Sequence, residues 1–314
     1  MNPTPFSEFL QRHPCILSEG AVIERLRRNT DVELDPLIVN SAFVYREPHR
    51  SAIETIYRQY LDIGQRHRLP LMLSTPTWRA SRERIEAAGY GDRDVNADNF
   101  RFLDALRVSY GEYAANVAIC GLLSCRGDAY NPSQALSIAE AFEFHSWQAA
   151  KLSRAGVDFL LAATLPALSE ATGLARAMAA TGSPYIVSFV LRPEGTLLDG
   201  TPLKDAIAAI DADVTPRPLA YLSNCTHASN FKRAWLHDAN SSAVVRARVI
   251  GLLANTAALN PEELDNSDAL VSEAPEIFGR SLAELYTQFG LKILGGCCGT
   301  DETHIGQLAQ RLAG

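Results

Sequence analysis

The chain has 314 residues, 47% hydrophobic and 21% charged, with 20 Gly and 16 Pro, a balance that excludes a disordered or fibrous protein. Lys and Arg number 29 against 36 Asp and Glu, and the net charge of −7 excludes a nucleic-acid surface built on bulk positive charge. Six cysteines are too few for a disulfide scaffold, and the opening MNPTPFSEFLQRHPC lacks the continuous apolar run of a signal peptide. The longest apolar runs fall far short of the roughly 20 residues of a membrane helix. A protein of the reducing cytoplasm, with neither nucleic acid nor membrane as partner, is therefore expected.

Eight short runs rich in Val, Ile, Leu and Phe follow one another at residues 15–18, 69–75, 116–124, 158–164, 184–191, 219–225, 249–256 and 291–298. None alternates apolar with polar, which is how strands covered on both faces read. Helix-period stretches lie between them, clearest at 50–67, 133–154 and 165–180, and Ile53, Ile56, Tyr57, Tyr60, Leu61 and Ile63 trace one apolar face. The strand starts lie about 39 residues apart, room for a strand, a helix and two connections, and eight such units predict a (β/α)8 TIM barrel. An open doubly wound sheet is the rival, but no GxGxxG or GxxxxGK[ST] loop follows any strand to anchor it. The segment 20–48 reads as an insertion with a helix-like piece at 22–28. Residues 255–282 read as irregular, with NPEELDNSD giving turns and a short helix. No linker divides the chain, so 1–314 is expected to be one domain.

Cys15, Cys120 and Cys125 read as isolated small hydrophobes. Cys225, Cys297 and Cys298 instead fall at the C-terminal ends of predicted strands six and eight, in LSNCTH and GGCCGT. In a barrel that end is the catalytic face, and strands of the same parity share interior layers. Adjacent strand residues point to opposite faces, so Cys297 and Cys298 can serve one metal only if the chain turns sharply, which Gly295, Gly296 and Gly299 permit. Three thiolates with a fourth position open describe a catalytic zinc site. Two alternatives stand beside it: three ordinary core thiols, or a vicinal disulfide between Cys297 and Cys298.

LSNCTH and GGCCGTDETHI resemble the two zinc-binding motifs of the homocysteine S-methyltransferase family. EGAVIERL, STPTWRAS and FVLRPEGTLLDGTPL resemble its first, second and fifth strand ends, so the resemblance spans nearly the whole chain. It implies a zinc ion held by Cys225, Cys297 and Cys298, with an acceptor thiol entering as fourth ligand. It also implies an electron-poor methyl donor, such as S-methylmethionine, S-adenosylmethionine or betaine. A zinc-stabilised thiolate is the form that attacks carbon, whereas a free thiol with a pKa of about 8.5 is mostly protonated at neutral pH.

The departures bear on the acceptor. Glu19 stands where the family commonly has Asp, Pro76 where an Asn often sits, and Ala163 where a Glu is common. In the family those acidic groups grip the amino end of homocysteine, so a single carboxylate leaves two readings: homocysteine held by Glu19, or a different thiol. Trp78 could face a cationic donor through cation-π attraction, or pack on the barrel rim. Asn224 and Thr300 are candidate substrate contacts, Thr300 with the N-terminus of the last helix. Asn255 is a further polar candidate, and Cys125 a further thiol near the mouth. His227 reads as a loop residue or a support for a ligand, and His304 as part of a helix start capped by Asp301. A zinc or thiol-redox sensor without catalysis is the rival from another class. A zinc hydrolase lacks a paired base motif such as HExxH. The number of chains in the assembly is not legible.

Overall fold

The structure is a computed structural model describing residues 5–259 and 272–314. Eight parallel strands close into a barrel in the order β1 to β8. They are β1 (Ile16–Ser18), β2 (Leu71–Ser74), β3 (Val117–Ser124), β4 (Phe159–Leu165), β5 (Tyr185–Phe189), β6 (Ala220–Asn224), β7 (Val249–Ala254) and β8 (Ile293–Gly296). Closure comes from Ile16 pairing with Ile293 and Leu17 with Leu294. Every predicted run carries a strand, but most are shorter than the apolar stretch. Residues such as Thr75, Cys225 and Cys297 leave the ladder and turn into the loops that build the mouth.

Burial explains the unbroken apolar runs. Ile16, Met72, Cys120, Phe159, Leu161, Ile186, Leu222 and Ile293 fill the barrel interior. Their neighbours Leu17, Leu71, Ile119, Leu160, Val187, Tyr221 and Leu294 pack outward under the helices. Both faces of each strand are dry, so alternation disappears from the sequence while it persists in space.

The helix Phe6–Arg12 plugs the N-terminal end of the barrel, Phe6 stacking on Phe159 with ring centroids 3.7 Å apart. Because Phe6 is 1% exposed, Phe6→Ala is expected to cost about 3–5 kcal/mol in urea unfolding. An unchanged midpoint would show that the plug adds nothing to the core.

The helix His49–His67 buries the six-residue face expected of it. The stretch expected at 133–154 begins its α-helix only at Ile138, because Pro132–Gln134 makes a 3-10 turn and Ser137 with Glu140 forms a capping box. One expectation is corrected. Residues 275–282 are not irregular but open the α-helix Pro275–Phe289, with Pro at its first turn and Phe278, Leu282 and Leu285 buried. NPEELDNSD lies outside the described residues. Among the described residues no helix is long and apolar enough to cross a membrane.

Candidate metal centre

Cys225 follows the last residue of β6 with φ at +50°, in the left-handed region that non-glycine residues seldom occupy. Its N–H donates to the Leu253 carbonyl (3.1 Å), which pins the turn to β7. Beyond β8, the Cys297 N–H donates to Ala254 O (2.7 Å). A four-residue turn then closes with the Thr300 N–H on Cys297 O (3.3 Å) and Gly299 at φ +82°. The sharp turn required of the doublet is therefore present. Gly295 and Gly296 are needed for space, since a Cβ on either would run into Ser18 or Thr300. Glu24, from the short helix Ile23–Arg27, accepts the Gly299 N–H and holds the turn from the other side.

These turns bring the three sulfurs within 4.8 Å of one another. Cys225 Sγ lies 3.7 Å from Cys298 Sγ and 2.7 Å from Cys297 Sγ. Zinc–sulfur bonds of about 2.3 Å in a tetrahedron set sulfurs about 3.8 Å apart, so the first pair already has that separation and the second would have to open by about 1 Å. The Cys297 thiol is pushed well above the ordinary thiol range by its contact with Cys225, and burial adds to this. In Cys225 the contact with Cys297 pulls downward, but the contact with Cys298 and burial outweigh it. Three such sulfurs cannot all be thiolates unless a cation neutralises them, and soft donors in a nearly closed set suit zinc. The residues present therefore fit the metal.

The cluster forms one wall of a cavity of about 660 Å³ at the C-terminal mouth. Glu19, Trp78, Asn224, Cys225, Cys297 and Cys298 all line it. Glu19 accepts from the Ser74 N–H (3.1 Å) through Oε1, while Oε2 is buried with no partner among the described residues. Burial raises its carboxyl to about 8. Ala163 also lines the cavity, so the second acidic position is apolar.

Asn224 has an internal task. Its Oδ1 accepts from the Thr164 N–H (2.8 Å) and the Ser188 hydroxyl (2.7 Å), and its Nδ2 donates to Thr164 Oγ1 (2.7 Å). This holds Thr164 at φ +58°, a strained backbone for a β-branched residue. Thr300 is outside the cavity wall, its hydroxyl donating to Cys297 O (2.7 Å) and accepting from Ala21 N–H (3.0 Å). Trp78 carries the Arg79 guanidinium 4.2 Å from its ring centre. Asn255 donates to Cys225 O (3.3 Å). His227 caps the helix Ala228–Leu236, and His304 shares a capping box with Asp301. Cys125 is buried off the cluster, its thiol toward Gly127 O (3.6 Å).

Two residues escaped the sequence. Tyr130, in the loop after β3, packs against the cluster of Val190, Leu198 and Cys225 that Cys297 and Cys298 also join, and its hydroxyl reaches Cys225. Only its position among turn residues after a strand end marks it. Glu24 is the other, and its one signal is its place five residues after Glu19.

The homocysteine S-methyltransferase family profile matches residues 16–312. The homocysteine S-methyltransferase YbgG of Bacillus subtilis is 24% identical over 325 residues, covering 97% of this chain and 96% of that protein. The homocysteine S-methyltransferase of Escherichia coli is 30% identical over 206 residues, 63% of this chain and 62% of its own. The metallated form of the homocysteine methyltransferase MmuM from Escherichia coli superposes with a TM-score of 0.76 at 21% identity, covering 98% of this chain and all of that one. A profile match from the first barrel strand to the last helix, ending past the paired cysteines, shows that the chain is a methyltransferase belonging to the homocysteine S-methyltransferase family.

Proposed function

We propose that the protein transfers a methyl group from a sulfonium or quaternary ammonium donor to the thiol of homocysteine, giving methionine, with zinc held by Cys225, Cys297 and Cys298. The observation that carries the reading is the convergence of three sulfurs, Cys225 buried and Cys297 and Cys298 half-buried, on a cavity whose wall also holds Glu19 with an oxygen that has no partner among the described residues. Zinc, when bound, stabilises thiolate over thiol and so supplies a sulfur nucleophile at neutral pH. The acceptor thiol gives its proton to solvent on ionising, the donor's carbon–heteroatom bond breaks as the new carbon–sulfur bond forms, and the heteroatom keeps the electron pair and leaves uncharged, so no general base beyond the metal is needed.

The chain's own residues bind and orient. Glu19 accepts the acceptor's ammonium at Oε2, and the charge pair then favours its ionised form. Asn224 sets the Thr164 backbone that borders the site. Arg79 occupies one face of Trp78, leaving the other for a cationic methyl group. The mouth loops enclose both substrates in line, where positioning supplies much of the rate. The reducing cytoplasm suits the six free thiols.

Ala163 supports a second reading, the same chemistry on a thiol without an amino group. The zinc-reconstituted protein, offered homocysteine or 4-mercaptobutanoate with each of the three donors, separates them by mass spectrometry of products. Methionine formed at least tenfold faster than the methylated amine-free thiol is expected. The reverse preference would replace homocysteine as acceptor, and no methylated thiol with any donor would leave a metal or redox sensor.

A further inference from the structure

The loop 126–136 supplies Gly127, Asp128, Ala129, Tyr130 and Gln134 to the cavity wall, yet it contains no strand and only the short 3-10 turn Pro132–Gln134. Its order comes from below. Glu170, in the first turn of the helix Leu168–Ala179, is 0% exposed. One of its oxygens accepts from the Arg126 N–H (2.6 Å) and from His145 Nε2 (3.0 Å), and the other from the Leu136 N–H (3.2 Å). A single carboxylate thus grips both ends of the loop. His145 is 1% exposed and its Nδ1 has no partner among the described residues, so the ring's hydrogen bond there goes to that carboxylate. From the other side, Arg79 donates to the carbonyls of Cys125 (2.9 Å) and Arg126 (3.1 Å), and Arg84 donates to Arg126 O (3.3 Å).

A carboxylate buried at this depth is costly unless its oxygens are filled, and an apolar residue would pack this helix against its neighbour without that cost. The partners of Glu170 belong to the loop and to the helix Ile138–Ala155, not to the barrel. Burial raises its carboxyl, but the bonds from His145 and the two N–H groups outweigh this and hold it below the ordinary range.

We infer that Glu170, supported by His145, is a positioning residue for the metal centre: it staples the loop 126–136 so that Tyr130 stays packed beside Cys225 in the cluster that carries the cysteines. The inference rests on the metal-centre reading, but not on which acceptor or donor is used. Tyr130 packs against the cluster that includes Cys225, and its hydroxyl reaches that cysteine, so a loosened loop exposes the site without changing a ligand.

Two readouts on the full-length zinc-loaded protein test this without methyl transfer. Trypsin cleavage after Arg126, followed by mass spectrometry, reports the loop, and zinc transfer to a chromogenic chelator reports how exposed the site is. In Glu170→Gln one acceptor oxygen becomes a donor, so one of three N–H groups loses its partner. Cleavage at Arg126 is expected to accelerate at least tenfold and zinc transfer several-fold, with the melting transition still cooperative. Tyr130→Phe is expected to accelerate zinc transfer alone and leave cleavage at the wild-type rate. Wild-type values of both rates in Glu170→Gln would overturn the inference. Should that variant not fold, His145→Gln is measured the same way, with faster cleavage supporting the staple and wild-type rates overturning it. If the wild type takes up no zinc, the metal-centre reading fails, and the cleavage rates still judge the staple.

Discussion

Cys298→Ser is expected to lose metal and methyl transfer together, each by at least about 100-fold, because altering even the outer partners of a metal ligand costs roughly 10–100-fold. The hydroxyl that replaces the thiol ionises far less readily and is a harder donor, so a three-sulfur set becomes an incomplete one. Cys125→Ser is the control, since Cys125 also lies near the mouth but points toward Gly127 and not into the cluster. Zinc content by elemental analysis and product formation, measured on the same preparations, check both variants. Full activity in Cys298→Ser would remove it from the ligand set. Loss of zinc in Cys125→Ser would mean that the cluster has been drawn wrongly.

Glu19→Gln is expected to trade function for stability. In the free protein burial raises the Glu19 carboxyl from 4.5 to about 8, so the folded state keeps a proton that the unfolded state releases. The resulting stability is fully present below about pH 4.5 and is lost as pH rises through about 8; at 1.36 kcal/mol per pKa unit the loss is on the order of 5 kcal/mol. Glu19→Gln removes that dependence. Unliganded, the variant should melt above the wild type at pH 9, with little difference at pH 5. The same carboxylate, once ionised, is the partner for an ammonium, and a hydrogen bond to a charged group contributes about 1.5–3 kcal/mol, or about 10–100-fold in affinity.

Methionine, which carries the ammonium but no thiol, isolates this effect. Its affinity for the wild type should rise as pH increases through about 8 and then fall as its own amine deprotonates, while the variant binds weakly without the first rise. Calorimetric titration across pH 6–10 reads both curves. Equal affinities in wild type and variant would move the amino group away from Glu19 and favour an acceptor without one.

The barrel was legible because burial on two faces leaves a mark in one dimension. A strand such as Phe159–Leu165 is apolar without a break from Phe159 to Ala163, since Leu161 faces the interior and Leu160 the helices. The helix Pro275–Phe289 was hidden because its buried face consists of few residues, Phe278, Leu282 and Leu285, among polar neighbours. The three cysteines were legible because LSNCTH and GGCCGT put soft donors at strand ends, the second with the glycines its turn requires. Tyr130, Glu24 and Glu170 were not, because the first two meet the site, and the third grips the loop that carries Tyr130, by tertiary contacts from different loops and helices, with no period or spacing to announce them. Asn224 was found for its place beside Cys225. Its bonds go to Thr164, whose left-handed backbone is invisible until the β4 and β6 ends are seen together.

The central claim is that three sulfurs hold a zinc ion on which methyl transfer depends. Its most direct test is to purify the wild type under reducing conditions, measure its zinc, strip the metal with a chelator, and restore it stepwise while assaying methyl transfer to homocysteine. About one zinc per chain is expected, with activity lost on stripping and regained in proportion to zinc up to that stoichiometry. Full activity in the stripped protein would contradict the account.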